Sequence, residues 1–134
     1  MTPFPLKIVT PDGIQFDGQA TALTLRTTTG DIGILAGHTN LVAPLGMGRA
    51  TIVMDNQRRY AACIGGMVSV IDGKVNLVAT TFEWAENIDP DRAERSYQRA
   101  QATLQSKDSS KTDLILAEAR LKRALVRKGV ASTK

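Results

Sequence analysis

The sequence has very few of the residues from which disulfides and metal centres are built. Its 134 residues include one cysteine, Cys63, and one histidine, His38. A single cysteine excludes an intrachain disulfide and favours a reducing compartment. A metal site made of cysteine and histidine ligands needs more of both than the chain has. Cys63 lies in an apolar run at residues 61–64 (AACI), so we expect a small core residue rather than a nucleophile.

Long hydrophobic runs and catalytic motifs are also missing. No segment approaches the roughly 20 consecutive apolar residues that a membrane-spanning helix needs, so we expect no direct membrane insertion. The chain has no GxxxxGK[ST] phosphate-binding loop, and no nucleophile-elbow motif accompanies His38. The acidic residues show no spacing that would pair two carboxylates for acid–base catalysis. These absences predict a protein that is not an enzyme.

The chain up to Trp84 has the pattern of β-strands. Aromatic residues make up only 4% of the chain, so its core must consist mainly of Val, Ile, Leu and Ala. Short apolar runs that alternate with polar residues are separated by turn residues. Asp72-Gly73 lies between two such runs and tolerates the positive φ of a hairpin turn. Gly65-Gly66 interrupts a strand pattern and predicts a bulge or a close backbone contact. Many short strands at even spacing predict a sandwich or barrel.

After Trp84 the hydrophobic period becomes helical. Asp89-Pro90 is a favourable helix start, because Asp caps free N–H groups and Pro suits the first helical position. Residues 106–110 predict a polar loop, a second helix is expected from about Thr112, and Gly129 is its expected stop. The pattern therefore predicts an antiparallel helical hairpin. Its alanine-rich stripes bury little apolar area. Because burial stabilises by about 25 cal/mol per Å², we expect the hairpin to pack weakly and to be able to rearrange. The apolar stripes are Ala93, Tyr97, Ala100 and Leu104, then Leu114, Ala117, Leu121 and Ala124, with Leu125 beside them.

Three stretches of the sequence resemble motifs of one known protein family. Residues 29–41 (TGDIGILAGHTNL) resemble the family signature G-[ED]-x-G-[IV]-L-P-x-H-x-P-L. Residues 64–70 (IGGMVSV) and 74–79 (KVNLVA) are similar to two consecutive strands of the family, and residues 88–93 (IDPDRA) resemble its [IL]-D-x-x-R-A element. Order, spacing and total length agree, so nearly the whole chain resembles the epsilon subunits of bacterial rotary ATP synthases. Ala36 and Asn40 stand where the family usually has proline, and we expect this loop to be somewhat more mobile.

The resemblance implies a fold, a function and a set of partners. The fold is an all-β N-terminal sandwich of about ten strands at residues 1–85 and an α-helical C-terminal hairpin at residues 86–134. The function is that of a central-stalk rotor subunit of a proton-translocating ATP synthase, peripheral at the cytoplasmic face of the bacterial membrane. The sandwich would bind the gamma subunit and the c-ring, with Asp31 and His38 in the loop that faces the ring. For His38 the alternative is a hydrogen-bonded loop residue. The hairpin, when extended, would meet the alpha and beta subunits and inhibit ATP hydrolysis.

The resemblance also implies a nucleotide site, because in some bacterial members the hairpin binds ATP without hydrolysing it. Arg92 and Arg99 are seven residues apart and share a helical face, as do Arg123 and Arg127, which are four apart. Guanidinium groups bind phosphate bidentately. Arg120 lies on the same stripe as Arg123 and Arg127, so which arginines of the second helix face the ligand stays open. The matching positions are Glu83, Ile88, Asp89, Arg92, Ala93, Arg99, Arg123 and Arg127.

Each of these residues also has a plain structural role. Asp89 fits a helix N-cap, Ile88 fits a hydrophobic staple before it, and the arginines fit a solvated helical face. The net charge of +4, with many basic residues after Asp89, also suits a nucleic-acid-binding module that grips phosphates. Tyr97 is the only aromatic residue of the hairpin, however, so such a module would lack stacking positions. A stand-alone ligand-binding sandwich is the third alternative.

Overall fold

The computed structural model describes residues 2–133, which form two compact units that divide between Trp84 and Ala85. The first unit consists of eight strands. The second contains a single 3₁₀ turn at Ala85–Asn87 followed by two helices, α1 (Pro90–Gln105) and α2 (Lys111–Ala131). The strands are β1 (Phe4–Thr10), β2 (Gly13–Ala20), β3 (Ala22–Thr27), β4 (Gly30–Ile34), β5 (Leu41–Pro44), β6 (Met47–Met54), β7 (Gln57–Ile71) and β8 (Lys74–Trp84).

The strands form one continuous sheet that folds into two layers. The strand order is β2-β1-β8-β7-β6-β3-β4, and β5 pairs with β7 beside this path. Residues 57–64 of β7 pair with β6, whereas residues 67–70 pair with β5. In the same way, β1 pairs only with residues 75–78 of β8. β7 and β8 therefore each supply a segment to both layers. If each of these two long strands is counted as two, the eight strands correspond to the sandwich of about ten strands that the resemblance implied.

Two glycines make the bend in β7 possible. Gly65 and Gly66 have φ of +71° and +111°, a region that glycine adopts without steric cost. A Cβ atom on Gly66 would lie only 2.0 Å from the carbonyl oxygen of Val78 on β8. Across the bend, the core residues of β7 change from odd-numbered to even-numbered positions. The close backbone contact predicted for Gly65-Gly66 is therefore confirmed at Gly66.

The core between the layers is aliphatic along most of its length and aromatic at one end. The ring of Trp84 meets Phe82 edge to face, with centroids 5.0 Å apart, and Phe16 at 6.3 Å. The guanidinium carbon of Arg59 lies 3.6 Å from the centroid of the Trp84 ring, a cation–π geometry. Trp84 is the only tryptophan of the chain and is 7% exposed. Its fluorescence therefore reports on the packing of the sandwich alone.

The two helices form the antiparallel hairpin that the sequence predicts. Their fully buried side chains are mostly alanines, Ala93 and Ala100 on α1 and Ala117 and Ala124 on α2. Such small side chains remove little apolar area from water, so the interface between the helices contributes modestly to stability. Among residues 2–133, neither helix is both long and apolar enough to span a membrane.

The limits of α2 differ in part from those expected. The helix begins at Lys111, next to the expected Thr112, behind a capping box in which Ser110 and Asp113 each accept the other's backbone N–H at 3.1 and 3.2 Å. The prediction that Gly129 ends the helix was wrong, because α2 continues to Ala131. Gly129 keeps helical geometry, and Val130 beside it is 1% exposed. Burial of Val130 favours a helical last turn over a glycine stop.

Candidate functional site: an arginine-lined groove in the hairpin

The start of α1 is fixed by Asp89. Its side-chain Oδ1 accepts the backbone N–H groups of Asp91 and Arg92 at 3.0 and 3.2 Å, and Pro90 occupies the first helical position. Ile88 before the cap and Ala93 in the first turn are both buried, the arrangement of a hydrophobic staple. In this structure Asp89 and Ile88 therefore have the roles that the structural alternative assigned to them.

A groove of about 680 Å³ lies between α1 and α2. This volume falls within the range of ordinary small-molecule sites. The groove brings together Arg99 from α1 with Arg123 and Arg127 from α2, three of the residues that the resemblance assigned to a nucleotide. Arg120 is a fourth arginine in the lining. The remaining lining residues are Ser96, Ala100, Ala102, Thr103 and Ala117.

The charge of this groove has one sign. Its described lining contains four guanidinium groups and no carboxylate. Arginine stays protonated at any physiological pH and offers five N–H donors in a planar fork. Like charges gathered in one groove repel each other, and an anion with several oxygens would offset that repulsion. The charge and the hydrogen-bond donors of the groove therefore suit a polyanion.

The other predicted nucleotide residues lie outside this groove lining. Arg92 is exposed near the start of α1. Glu83 lies in β8, where it pairs in register with Ala62 and is partly exposed. Ile88 and Ala93 are buried beside the cap. The structure thus assembles the arginines of the second helix with Arg99, and it leaves the cap residues and Arg92 apart from the groove.

Lys128, near the end of α2, contacts two side chains of α1. Lys128 Nζ lies 2.5 Å from Glu94 Oε2 and 4.1 Å from the centroid of the Tyr97 ring. The hydrogen bond from Lys128, together with one from Gln98, lowers the pKa of Glu94 below its ordinary value. These contacts connect the end of α2 to the start of α1. No sequence motif indicated this pair, because the residues are 34 positions apart.

The proposed ring-facing loop lies in and after β4. Asp31 is exposed and receives a hydrogen bond from Arg26 Nη1 at 3.3 Å. The Nδ1 atom of His38 lies 2.7 Å from the carbonyl oxygen of Thr39, so the His38 ring makes a local hydrogen bond. Asn40, one of the positions that usually holds proline, accepts the backbone N–H of Asp72 at 2.9 Å. This contact ties the loop to the β7–β8 turn.

The cysteine has no sign of chemical activity. Cys63 is buried in β7, and burial raises the pKa of its thiol to about 12. A thiol with that pKa stays protonated at neutral pH, and only the thiolate is a good nucleophile or metal ligand. Within residues 2–133, no group of three or more His, Cys, Asp or Glu side chains is placed to hold a metal ion.

The chain consists of a β-sandwich followed by a helical hairpin with a cationic groove, and known domains match both units. The ATP synthase delta/epsilon chain beta-sandwich domain matches residues 3–85, and the ATP synthase delta/epsilon chain long alpha-helix domain matches residues 86–131. The chain belongs to the ATP synthase delta/epsilon chain family. The family predicted from three short motifs is confirmed, and so is the fold class. Membership places the chain among non-catalytic subunits.

Individual relatives agree over the full length. The ATP synthase epsilon chain of Ruminococcus albus is 41% identical over 135 residues and covers all of both chains. That of Bacillus velezensis is 40% identical and covers 94% of this chain and 95% of its own length.

Two solved structures share the fold. A chain of the Euglena gracilis mitochondrial ATP synthase has a TM-score of 0.85 at 24% identity and covers all of this chain and 83% of that one. A chain of the Tetrahymena thermophila mitochondrial ATP synthase central stalk and c-ring has a TM-score of 0.66 at 15% identity, with 95% of each chain covered.

Proposed function

We propose that this chain is an epsilon-type rotor subunit in the central stalk of a proton-translocating bacterial ATP synthase. The observation that carries the proposal is the match of both units, in order and over nearly the whole chain, to the delta/epsilon family. The sandwich binds the gamma subunit and the c-ring. The hairpin regulates ATP hydrolysis. The chain is peripheral, at the cytoplasmic face of the membrane. This proposal takes the place of the nucleic-acid-binding and stand-alone sandwich alternatives.

An exposed apolar patch on the sandwich supports the contact with gamma. Pro44, Met67 and Val78 lie side by side on β5, β7 and β8 in register, and Val42 lies near them on β5. Met67 is 44% exposed, Val78 53% and Val42 60%. Contiguous apolar side chains on a surface mark interaction sites. We call these four residues the Met67 patch and propose that gamma covers it.

Introduction of a negative charge into the Met67 patch tests this contact. Met67→Glu places a charge where an apolar partner surface would desolvate it, and we expect binding to purified gamma to weaken by about tenfold or more. The matched control is Ile14→Glu, which introduces the same charge at another exposed apolar residue. Equal gamma affinity of the two variants would show that gamma binds elsewhere.

For the c-ring we propose contact through the loop that contains Asp31 and His38. The exposure of Asp31 supports this. His38→Ala removes the hydrogen bond with the Thr39 carbonyl, and Asp31→Ala removes the pairing with Arg26. Coupling between ATP hydrolysis and proton pumping in reconstituted vesicles should fall in the double variant. Unchanged coupling would show that the c-ring contacts another part of the sandwich.

The hairpin, we propose, is the regulatory element, and ATP is its ligand. With the helices packed together the motor turns freely. Extended, the basic helices meet acidic surface on the catalytic beta subunits and slow ATP hydrolysis. ATP stabilises the packed form, because a ligand shifts an equilibrium by its differential affinity for the two states. The helices meet mainly through alanines, which supports a small free-energy difference between the packed and the extended hairpin. A ligand could shift an equilibrium of that kind.

The four-arginine groove supports ATP binding, since it offers several guanidinium groups to one triphosphate. Calorimetry on the isolated full chain tests this. Arg123→Gln should weaken binding, and so should the Asp89→Ala and Arg92→Ala double variant if adenine or ribose contacts the start of α1. The double variant must keep the helical circular dichroism of the parent. Absence of any ATP binding by the parent chain would remove the sensor role and leave the rotor role standing.

A further inference from the structure

The loop between β4 and β5 is joined to the β7–β8 turn by one side chain. Asn40 Oδ1 accepts the backbone N–H of Asp72 at 2.9 Å, although the two residues are 32 positions apart in the chain. The pairing of β5 with β7 begins at Leu41, which lies opposite Val70. Asn40 therefore extends the contact between the two segments beyond the end of the ladder, through its side chain instead of its backbone.

The geometry of the turn leaves the donor of this hydrogen bond available. Asp72 and Gly73 have φ of +51° and +80°, and Ile71 pairs with Lys74, as in a type I′ hairpin turn. The hydrogen bond that closes a turn joins its first and fourth residues, so the N–H of Asp72 takes no part in it. Asn40 supplies the acceptor for this N–H group and thereby fixes the turn against the loop.

Two other hydrogen bonds of the loop are local. The backbone N–H of His38 donates to the carbonyl oxygen of Leu35 at 3.2 Å, and Gly37 between them has φ of +79°, the geometry of a type II turn. The ring of His38 contacts the carbonyl oxygen of the adjacent Thr39. These bonds shape the loop but do not connect it to another segment. The bond of Asn40, two residues after His38, makes that connection.

We propose that Asn40 is the positioning residue of the ring-facing loop, which it locks to the β7–β8 turn so that the two segments form one surface around His38. This inference rests on the proposed contact of the loop with the c-ring, and Asn40 acts through its neighbours. A loop without this lock must lose more conformational entropy when it meets a partner. The contact with the ring is therefore weaker without Asn40, and less of the rotation is transmitted through it.

Amide hydrogen exchange of the full chain, followed residue by residue by NMR, tests the lock. Asn40→Ala removes the acceptor, and we expect the N–H of Asp72 to exchange about three- to tenfold faster, the worth of one hydrogen bond. The substitution is 32 positions away, so the intrinsic exchange rate of this amide stays the same. Asn40→Asp keeps an acceptor oxygen and should restore slow exchange. Equal exchange of this amide in the parent chain and in Asn40→Ala would overturn the proposal.

Proton pumping per ATP hydrolysed, measured in reconstituted vesicles, tests the consequence for the motor. Asn40→Ala should lower this coupling towards that of the Asp31→Ala and His38→Ala double variant, and Asn40→Asp should restore it. Affinity for purified gamma should stay at the parent value in both Asn40 variants. The matched control is Asn76→Ala, which removes an amide from an exposed position of β8 and should change neither coupling nor the exchange of Asp72.

The failure of this inference differs from the failure of the ring contact itself. If Asn40→Ala couples as well as Asn76→Ala while the Asp31→Ala and His38→Ala double variant couples poorly, the positioning role is overturned and the ring contact survives. If the double variant also couples normally, both fail together. A loss of gamma affinity in Asn40→Ala that parallels the loss of coupling would show a general structural role and would also overturn the inference.

Discussion

Replacing Gly66 by alanine should strongly destabilise the sandwich. The new Cβ would lie 2.0 Å from the carbonyl oxygen of Val78 and 2.8 Å from the Cα of Ala79. Both atoms belong to the backbone of β8, which cannot move without disturbing its pairing with β7. The φ of +111° adds strain of about 1–3 kcal/mol for a residue with a side chain, and each disturbed backbone hydrogen bond adds about 1 kcal/mol. We expect a total loss of roughly 3 kcal/mol or more in the free energy of unfolding.

Urea unfolding followed by Trp84 fluorescence measures this loss, since Trp84 is buried in the sandwich core. The matched control is Gly73→Ala, where φ is +80° and a Cβ would meet nothing within 4 Å. That control isolates the cost of positive φ, about 1–2 kcal/mol. If Gly66→Ala loses no more than Gly73→Ala, the close approach of β7 and β8 is not what requires glycine, and our account of the bend is incorrect.

Three further predictions concern the hairpin and the cysteine. Lys128→Met removes the ion pair with Glu94, whose pKa is lowered by this contact and by the hydrogen bond from Gln98. The stabilisation is complete above the ordinary glutamate pKa and is lost as pH falls through the lowered one. Acid titration followed by helical circular dichroism should therefore show a smaller pH-dependent component in the variant than in the parent chain. Cys63 should not react with a disulfide reagent at pH 8 until the sandwich unfolds, because burial raises its thiol pKa to about 12; rapid reaction of the folded chain would contradict that burial. Asp89→Ala should cost about 1 kcal/mol through loss of the helix cap, seen as a lower melting temperature of the hairpin by circular dichroism, whereas Asp91→Ala, at an exposed neighbour, should cost less.

Local signals in the sequence predicted much of this structure. Asp89-Pro90 marks the start of α1 because capping and proline geometry act within a few residues. Gly65-Gly66 marks the bend in β7 because glycine adopts positive φ without steric cost and because a Cβ on Gly66 would clash with the backbone of β8. Gly129 misled the prediction, since the burial of Val130 is a tertiary effect that outweighs a local stop signal.

Features that depend on packing were harder to predict. Strand counting from turn signals cannot show that β7 and β8 each run through both layers, since that depends on which strands pair with each half. Helical spacing put Arg120, Arg123 and Arg127 on one stripe but did not say that Arg99 of the other helix would face them. That juxtaposition depends on the register of α1 against α2, which the pairing of Lys128 with Glu94 helps to fix.

We propose that a mobile hairpin on a rotor subunit controls ATP hydrolysis. The most direct measurement is the ATP hydrolysis rate of the assembled ATP synthase containing either the full chain or a chain that ends at Asn87, which keeps the whole sandwich. The account predicts faster hydrolysis with the shortened chain, most clearly at low ATP, where the hairpin is least held in its packed form. Equal rates at every ATP concentration would contradict it.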